Sequence, residues 1–375
     1  MSDVPHLRFP EFSGEWVETT LGKISEITKG SGISKDQLSE QGSPCILYGE
    51  LYTKYKSEII DEVYSRTELD SSSLVKSKAN DVIIPCSGET AIDISTARCV
   101  PFDNILLGGD LNIIRLKHDD GGFFAYQLNG ARKKDIARVA QGVSVVHLYG
   151  ENLKQIRVYH PNIEEQKKIT RLLSLIDERI ATQNKIIEKY KSLIKGIAQH
   201  CIKESISGIT YVKLGDICKI TTGKLDANAQ VDNGIFPFFT CAEQPFKIDN
   251  FAFDTEALLI SGNGANLGYI NYYKGKFNAY QRTYVLDLFS ENIQYIKWAL
   301  KVLLPKRIAI EKSSSNTPYI VLSTLTDLRL PIPSRGEQSF IANLMQSLER
   351  KLSNQIAQYD SYNYLKQYLL RQMFI

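Results

Sequence analysis

The sequence predicts an α+β fold in which two pseudo-repeated globular domains are separated by two long antiparallel coiled-coil helices. Three observations support this prediction: two sequence motifs each occur twice, they occur in the same order, and each copy of the second motif is followed by apolar residues at helical spacing. An internal repeat of this kind indicates one structural unit that is used twice. We place the first domain at residues 1–160, the first helix at 161–206, the second domain at 207–333 and the second helix at 334–375.

The first motif stands near the start of each domain. Residues 21–30 read L-G-K-I-S-E-I-T-K-G and residues 214–223 read L-G-D-I-C-K-I-T-T-G, so six of the ten positions agree at an offset of 193. After the motif, β-rich runs separated by Gly, Ser, Asn and Asp predict short strands joined by loops. The clearest runs are V-I-I-P at 82–85, I-L-L-G-G-D-L-N-I-I-R-L at 105–116, A-L-L-I-S-G-N-G at 257–264 and T-Y-V-L-D-L at 283–288.

The second motif leads into each predicted helix. Residues 153–166 read L-K-Q-I-R-V-Y-H-P-N-I-E-E-Q and residues 325–338 read L-T-D-L-R-L-P-I-P-S-R-G-E-Q, at an offset of 172. The first domain therefore carries 193 − 172 = 21 extra residues between its two motifs. Similar turn chemistry would explain one such match by itself, but two matches in one order favour a true repeat.

Each predicted helix begins at a capping residue and carries an apolar stripe. Asn162, followed by Glu164 and Glu165, is the predicted N-cap of the first helix, and Ser334 is the predicted N-cap of the second. The stripes match at the offset of 172 and comprise Ile169, Leu172, Leu173, Ile176, Ile180, Ile187, Tyr190, Leu193, Ile194 and Ile197 in the first helix and Ile341, Leu344, Met345, Leu348, Leu352, Ile356, Tyr359, Tyr362, Leu365 and Leu369 in the second.

Such helices are too long to bury their stripes inside one small domain. About 40 residues at 1.5 Å each make a helix of ~60 Å. Because both stripes are equivalent and follow equivalent domains, we expect the two helices to pack on each other as an antiparallel pair about a pseudo-two-fold axis. The alternative is that each helix lies along its own domain.

Composition indicates ordinary globular domains. The 375 residues include 45 Lys and Arg against 42 Asp and Glu, a net charge of +3, which is too even for a polybasic protein. No apolar run approaches the ~18–20 residues of a membrane span, and the N-terminus lacks the layout of a signal peptide. The six Cys are scattered without a C-x-x-C pair, which argues against zinc and disulfides and favours the reducing cytoplasm.

Catalytic motifs are missing from the sequence. It contains no Walker-type phosphate loop, no N-P-P-[FY] or D-P-P-[FY], no H-E-x-x-H and no G-x-S-x-G. No two of the five His are close in sequence, so no metal site is predicted. Gly262-Asn263-Gly264 resembles a cofactor-binding loop only superficially, and we interpret it as a tight turn at a strand end. The domains are therefore expected to bind rather than to catalyse.

The motifs together resemble those of the specificity subunits of type I restriction-modification systems. The similar features are an N-terminal leader P-H-L-R-F-P-E-F-S-G-E-W, the two L-G-x-I entries, the first of them preceded by Trp16, and P-N-I-E-E-Q-K-K-I at 161–169. P-S-R-G-E-Q-S-F-I at 333–341 is a looser copy, with Ser334, Arg335 and Gly336 where an acidic, apolar run is usual. The resemblance covers essentially the whole chain.

The resemblance implies a non-catalytic, double-stranded-DNA-binding subunit. Each globular domain would be a target-recognition domain that reads one half of a split sequence, and the helices would set the gap between the halves. Two methyltransferase subunits would dock on the chain and a motor-nuclease subunit would join for cleavage. S-adenosylmethionine, ATP and Mg are then expected only on those partner subunits, with no cofactor on this chain.

Polar, amide and basic side chains on loops between strands are the candidates for DNA contact, because phosphate contacts position a protein and base-edge contacts give specificity. Gln281 and Arg282 are the best individual candidates, since amides pair well with adenine and Arg with guanine. Asn316 and Tyr319 match Ser144 and His147 at the offset of 172. The full set is Lys29, Ser31, Lys35, Tyr52, Lys54, Lys56, Ser87, Thr90, Arg98, Gln141, Ser144 and His147 in the first domain and Lys224, Asn263, Asn266, Gln281, Arg282, Ser315, Asn316 and Tyr319 in the second.

Further apolar positions lie near the edges of the helical stripes. Ile186, Ile202, Tyr364 and Tyr368 are predicted to receive a helix of a partner subunit. Two other readings stay open at this point. The first is a pseudo-symmetric coiled-coil adaptor that binds no DNA, and the second is a DNA methyltransferase or nuclease whose site is assembled from dispersed residues.

Overall fold

The computed structural model of the chain describes residues 4–203, 210–311 and 319–375. The chain divides into two compact units, unit 1 with Met1–Lys185 and Ala357–Ile375, and unit 2 with Ile186–Ile356. Each of the two long helices therefore begins in one unit and ends in the other. No helix of the described residues is long and apolar enough to cross a membrane.

Unit 1 combines short strands and short helices with the start of the first long helix. Its helices are α1 (Leu21–Ile24), α2 (Glu50–Thr53), α3 (Ala91–Ile94), α4 (Gly121–Asn129), α5 (Lys133–Val139), α6 (Gly150–Lys154) and the long α7 (Ile163–Lys203). Its strands are β1 (Val17–Thr20), β2 (Ser25–Lys29), β3 (Leu38–Ser39), β4 (Ser43–Ile46), β5 (Ser65–Thr67), β6 (Asp81–Pro85), β7 (Ser87–Gly88), β8 (Arg98–Val100), β9 (Leu106–Leu107), β10 (Leu111–Leu116), β11 (Val146–His147) and β12 (Arg157–His160). They form the sheets β2-β10-β6-β8, β3-β5-β4-β9, β1-β12 and β11-β7.

Unit 2 repeats this plan with fewer, longer strands. Its helices are α8 (Leu214–Ile217), α9 (Ile293–Glu311), α10 (Leu322–Thr326) and the long α11 (Arg335–Gln372), which ends in unit 1. Its strands are β13 (Thr210–Lys213), β14 (Lys219–Thr222), β15 (Phe236–Phe239), β16 (Phe246–Ile248), β17 (Phe253–Ser261), β18 (Ile270–Ala279), β19 (Thr283–Asp287) and β20 (Arg329–Ile332). They form the six-stranded sheet β14-β19-β17-β18-β15-β16 and the pair β13-β20. All four strand-like runs singled out in the sequence contain strands.

The repeat extends to the pairing register of the strands. In unit 1, β4 runs parallel to β9 with Cys45 opposite Leu106, and in unit 2 β15 runs parallel to β18 with Phe238 opposite Asn278. These partners differ by the offsets of 193 and 172 that the motifs predict. A single long strand, β18, takes the place of both β8 and β9.

The same registers locate the 21 extra residues of the first domain. Pro85 lies opposite Leu111, as Ser261 lies opposite Thr283, which gives an offset of 261 − 85 = 176 at this strand. Seventeen extra residues (193 − 176) therefore fall between β4 and β6, the segment that contains α2. The other four (176 − 172) fall between Pro85 and Leu111. The insertion thus lies between strands and leaves the shared sheet intact.

Both long helices begin at the capping residues that the sequence predicts. The Glu165 amide donates to Asn162 Oδ1 at 3.0 Å, and the Glu337 amide donates to Ser334 Oγ at 3.3 Å. α7 has 41 residues and α11 has 38. The predicted length and start of each helix are confirmed.

The helices pair in antiparallel fashion, as predicted. In unit 1, Ile169 and Leu173 near the start of α7 share a buried cluster with Leu369 and Met373 near the end of α11. In unit 2, the end of α7 shares a cluster with the start of α11, through Ile194, Ala198, Ile202, Ile341, Met345 and Leu348. Each helix also packs on globular-domain residues of both clusters.

Three positions of the predicted stripe are wrong. Leu193 is 48% exposed, Leu365 is 41% exposed and Ile356 is 39% exposed. In unit 1 the buried position beside Leu365 is taken by Lys366, which is only 8% exposed. A helix advances 100° per residue, so a stripe that turns around the helix by one residue leaves its former neighbour facing outward.

The Gln of the second motif makes equivalent hydrogen bonds in both units. Gln166 donates to Pro161 O at 2.9 Å and to Asp119 Oδ1 at 2.8 Å, and it accepts the Asp120 amide at 2.9 Å. In unit 2, Gln338 donates to Pro333 O at 3.0 Å and to Glu291 Oε2 at 2.7 Å, and it accepts the Asn292 amide at 3.0 Å. Every partner differs by 172. This buried amide therefore holds each long helix against the start of a domain helix, α4 in unit 1 and α9 in unit 2.

Candidate nucleic-acid interface

Three loops meet at one end of the main sheet in unit 1. The Cys86 amide after β6 donates to Asp110 O before β10 at 2.7 Å, and the Leu148 amide after β11 donates to Cys86 O at 2.8 Å. The loop after β2 joins them through the Ser31 amide, which donates to Leu107 O at 2.9 Å. We call residues 29–31, 86–90, 108–110 and 141–149 loop cluster 1.

Unit 2 assembles the equivalent loops, and two of the hydrogen bonds that join them are the same as in unit 1. The Gly262 amide after β17 donates to Arg282 O before β19 at 2.8 Å, and the Ile320 amide donates to Gly262 O at 2.8 Å. Leu225 after β14 accepts the Gln281 amide at 2.9 Å. We call residues 222–226, 262–266, 280–282 and 319–321 loop cluster 2. The two clusters share their backbone frame, while the side chains that they present differ.

Four predicted contact residues come together around the β7–β11 pair of loop cluster 1. Ser87 of β7 lies opposite His147 of β11, and the His147 and Gln141 backbones exchange hydrogen bonds of 2.7 and 2.9 Å. Ser144 lies at the exposed tip of the turn that these bonds close, and Gly142 in this turn has a φ of +124°. Lys29, at the end of β2, is also exposed.

The same turn carries residues that the sequence did not single out. Val143 is 98% exposed beside Ser144, and Tyr149 stacks on the His147 ring with centroids 6.2 Å apart. Exposed apolar and aromatic side chains beside polar ones suit contacts with base edges and thymine methyl groups. An exposed, β-branched V-S-V run between Gly142 and β11 was the sequence signal for this tip.

A second group of predicted residues lines a cleft of about 920 Å³ in unit 1. Lys35, Tyr52 and Lys54 lie around it, together with Tyr48, which the sequence analysis missed. Lys54 is already engaged, because its Nζ lies 2.6 Å from Glu50 Oε1 and donates to Ser65 Oγ at 2.9 Å. Burial is the first cause that raises the pKa of Tyr52 above its ordinary value, so this hydroxyl is a neutral hydrogen-bonding group.

Three other predicted residues of unit 1 have structural partners. Thr90 caps α3, since its Oγ1 accepts the Asp93 amide at 3.1 Å. Ser31 Oγ accepts the Val75 amide at 2.8 Å. Lys56 is exposed and its Nζ donates to Thr53 O at 3.2 Å.

Arg98 needs a correction. Its side chain was expected on a loop surface, yet the residue is 7% exposed, and its guanidinium donates to Leu51 O and Tyr55 O at 3.1 and 2.9 Å. Burial lowers the pKa of Arg98 from its ordinary value. The guanidinium therefore anchors the α2 segment inside unit 1 instead of facing a ligand.

Arg282 presents its side chain at the surface of loop cluster 2. The residue is exposed, and its guanidinium takes part in none of the hydrogen bonds or ion pairs found within residues 4–203, 210–311 and 319–375. Gln281 is also exposed, but its Nε2 donates to Asp226 Oδ1 at 2.8 Å. Lys224 is exposed on the neighbouring loop, and Tyr319 is 56% exposed. Ser315 and Asn316 lie outside the described residues.

The Gly262-Asn263-Gly264 segment is a tight turn at a strand end, as predicted. It follows β17 directly, and Gly264 has a φ of +79°, which favours glycine. Cys241 Sγ lies 3.0 Å from Asn263 Oδ1, and Asn266 Nδ2 donates to Cys241 O at 3.0 Å. The two predicted Asn residues thus fix the shape of the turn through a cysteine that the sequence analysis did not select.

The predicted partner-binding residues divide into two groups. Tyr364 and Tyr368 of α11 are 71% and 43% exposed, and Ile186 of α7 is half-buried. Ile202 is 2% exposed within the core of unit 2, so its expected role as a docking residue is wrong. The end of α7 packs on domain 2, which covers this position.

Comparison with known proteins identifies a family whose profile matches both repeats of the chain. A family profile described as the type I restriction modification DNA specificity domain matches residues 13–191 and 206–359, one stretch for each repeat. The EcoDI specificity subunit of Escherichia coli is 44% identical over 137 residues, 36% of this chain and 30% of that subunit. The MjaIX specificity subunit of Methanocaldococcus jannaschii is 24% identical over 256 residues, 58% of this chain and 59% of that subunit. The chain thus spans less than two thirds of the length of either relative.

A solved structure shares the fold over nearly the full chain. The specificity subunit of a type I restriction-modification system from M. genitalium superposes with a TM-score of 0.72 at 20% identity and covers 99% of both chains. At this identity the likeness concerns the fold, with its two globular domains and two long helices.

Proposed function

The chain belongs to the type I restriction modification DNA specificity family, and from this premise we propose that it is the non-catalytic subunit that reads the DNA target of a restriction-modification complex. Each globular domain reads one half of a bipartite double-stranded target. The two long helices set the gap between the halves. The observation that carries this proposal is the pair of loop clusters, which share a backbone frame and differ in their side chains.

Asp110 and Arg282 illustrate that difference. Both occupy the loop before the equivalent strands β10 and β19, and both carbonyls accept the equivalent amide. One position presents an exposed carboxylate and the other an exposed guanidinium. A carboxylate accepts from cytosine N4, whereas a guanidinium donates to guanine O6 and N7. A reader of two different half-sites needs such a contrast on a common frame.

Phosphate contacts are proposed for the exposed cations around the clusters. Lys29, Lys35 and Lys224 lie on the loops that lead into them, and lysine is suited to phosphate because it acts as a compact point charge. Base-edge contacts are proposed for Arg282, Gln281, Ser144 and His147. Lys54 is a weaker candidate because Glu50 already neutralises it.

Partner subunits are proposed to supply the chemistry. Two methyltransferase subunits dock on near-equivalent surfaces of the pseudo-symmetric chain, with Tyr364 and Tyr368 on one of these surfaces, and motor-nuclease subunits join them. S-adenosylmethionine, ATP and Mg belong to those partners. A cytoplasmic location fits the six cysteines, all of which are free thiols.

The test is to map methylated adenines in DNA treated with the chain and the type I methyltransferase subunits of its host. We expect one bipartite motif with a fixed gap, and no methylation by the purified chain alone. Methylation without a sequence motif would contradict the reading function. Methyl transfer by the chain alone would favour an enzyme with a dispersed site, and failure to bind any duplex with the partner present would favour a DNA-free adaptor.

The variant Arg282→Ala tests whether this side chain reads one base of the DNA motif. We expect the variant to lose about 1–3 kcal/mol of discrimination, roughly 5- to 150-fold, at one base position of one half-site. Arg329→Ala is the matched control, because Arg329 is an exposed arginine of the same unit on β20, outside loop cluster 2. An unchanged motif in Arg282→Ala would remove Arg282 from the base contacts.

A further inference from the structure

A buried ion pair joins the two long helices in unit 1. Lys366 Nζ of α11 lies 2.6 Å from Asp177 Oδ1 of α7 and 2.5 Å from Glu58 Oε2 of the globular domain. The three side chains are 8–10% exposed. Tyr126 donates its hydroxyl to Asp177 Oδ2 at 2.7 Å, and Ser57 donates to the same oxygen at 3.1 Å. One cation therefore links both helices and the domain.

The charges of this cluster are balanced. Arg98 is the second cation, because its charge acts with that of Lys366 to favour the ionised form of Glu58, although burial and Asp177 outweigh both and raise the pKa of this carboxyl. Burial lowers the pKa of Lys366, but Glu58 and Asp177 outweigh this effect, so the pKa lies above its ordinary value and the ammonium stays charged. Two cations thus face two carboxylates within the core of unit 1.

In unit 2 the two matching positions, both within the described residues, do not pair across the helices. The residue that matches Lys366 at the offset of 172 is Ile194, a buried apolar residue of α7. The residue that matches Asp177 is Glu349, and its carboxylate is paired with Lys297 and Lys301 of α9 at 2.9 and 3.1 Å. The carboxylate on the helix is therefore paired with a lysine of the other helix in unit 1 (Asp177) and with lysines of the globular domain in unit 2 (Glu349).

This asymmetry bears on how the helices are aligned. An apolar seam tolerates several axial positions, whereas a polar contact inside the seam is satisfied in one of them. A slip of α11 by one turn, ~5.4 Å, would carry Lys366 away from its partners. Asp177 and Glu58 would then remain buried with less positive charge, which strongly disfavours the slipped state.

We infer that Lys366 and Asp177 are positioning residues that fix the axial register of the two long helices, and thereby the gap between half-sites that the protein accepts. The second part rests on the proposed function. A slip of one turn, ~5.4 Å, corresponds to between one and two base pairs at ~3.4 Å each. Gap selection is therefore sensitive to the register at the level of single base pairs.

The decisive variant is Asp177→Asn combined with Lys366→Met. It removes the ion pair, keeps an oxygen that accepts from Tyr126 and Ser57, and leaves Glu58 balanced by Arg98. A buried pair replaced by groups of similar volume is often tolerated without loss of stability. We expect the double variant to fold with an unchanged Tm, while the single variant Lys366→Met has a lowered Tm because a buried carboxylate loses its cation.

Register is measured first without DNA. Spin labels are placed on unnatural amino acids at the exposed positions Glu178 of α7 and Ser361 of α11, and their distance is recorded by pulsed EPR. The otherwise unchanged chain is expected to give one narrow distance peak, and the double variant a broadened or second peak. One narrow, unshifted peak in the double variant would overturn the inference, because contacts other than this ion pair would then suffice to set the register.

Gap selection is measured next with the methyltransferase complex and DNA whose gap differs by one and two base pairs. We expect the double variant to lose discrimination between these gaps. Lys301→Met is the matched control, since it removes a lysine–carboxylate pair that joins a helix to its own domain, and it should leave the preferred gap unchanged. If the unchanged chain directs no sequence-specific methylation, the proposed function fails; if it does and the double variant keeps its gap, only the register inference fails.

Discussion

Unit 1 and unit 2 share a frame of backbone hydrogen bonds but differ in the loops, insertions and charged side chains around it. The registers of the main strands, the capped starts of the long helices and the buried Gln166 and Gln338 are equivalent residue for residue. The loop clusters, the insertion that contains α2 and the pairing of the helical carboxylates differ. The repeated motifs therefore encode the shared backbone frame of each domain, whereas the residues between the motifs differ and, under the proposed function, carry the specificity.

The last glycine of the first motif, Gly30 in unit 1 and Gly223 in unit 2, offers the strongest test of the shared frame. A Cβ on Gly30 would lie 2.1 Å from Gly108 O, and a Cβ on Gly223 would lie 1.9 Å from Ala279 O. Since a backbone carbonyl cannot move aside as a flexible side chain can, we expect Gly30→Ala and Gly223→Ala each to lower the free energy of unfolding by at least about 4 kcal/mol. Urea unfolding measures this loss.

Gly196→Ala is the control for that pair, because a Cβ there meets nothing within 4 Å. It should be neutral or slightly stabilising, since alanine favours helix over glycine. Equal losses in both units would support equivalent frames. A large loss at Gly30 beside tolerance at Gly223 would show that the frame of unit 2 has relaxed.

The sequence was sufficient for the frame because the frame depends on local patterns. Asn162, Ser334 and the spacing of the apolar residues were enough to place both helices, and composition was enough to find the main strands. The loops that form the two clusters were also found, since polar runs between strands mark them. The location of the extra residues required the register of β6 and β17, which no motif reveals.

The individual side chains were harder to predict, for physical reasons. Arg98 is buried because carbonyls of Leu51 and Tyr55 receive it, and these residues belong to the inserted segment, for which unit 2 offers no guide. Ile202 was read as a stripe edge, but domain 2 covers it. Lys366 escaped notice because lysine is rarely buried unless it is paired, and its partners lie 308 and 189 positions away.

Glu165 and Glu337 are equivalent residues of the second motif, yet their surroundings differ. Glu165 is fully buried and forms a two-pronged pair with Arg8, at 2.7 Å from each of Nε and Nη2. Glu337 is exposed and caps its own helix through Ser334. We expect Arg8→Met to lower the free energy of unfolding by about 3 kcal/mol, because it leaves a buried carboxylate without its cation, and Glu337→Ala by about 1 kcal/mol, as for a lost cap.

Chemical denaturation of both variants measures this contrast. Glu15→Ala provides a control for mutation of an exposed acidic residue within the leader. If Arg8→Met and Glu337→Ala cost the same, the N-terminal leader would contribute no more to unit 1 than a helix cap contributes to unit 2. The two copies of the motif would then be equivalent in energy as well as in sequence.

The surroundings of Glu349 predict a small loss of folding stability at acid pH. Burial acts to raise the pKa of Glu349, but Lys297 and Lys301 outweigh it, so the pKa lies below its ordinary value. A carboxyl with a depressed pKa stabilises the fold at pH values above its unfolded pKa, and this stabilisation is lost as the pH falls through its folded pKa. We expect Glu349→Gln to be less stable than the unchanged chain at pH 7 and to approach it as the pH is lowered below about 4, near the ordinary pKa of a glutamate.

Urea midpoints at pH 7 and below pH 4 test the sign of this effect. In unit 1 the direction is opposite, since burial and the nearby Asp177 raise the pKa of Glu58 despite Lys366. Stabilisation there is greatest below the unfolded pKa and declines as the pH rises through the folded pKa. Glu58→Gln should therefore not reproduce the pH profile of Glu349→Gln. Identical profiles would mean that the two carboxyl environments are electrostatically the same, although Glu58 is a domain residue paired with a lysine of α11 and Glu349 is a residue of α11 paired with domain lysines.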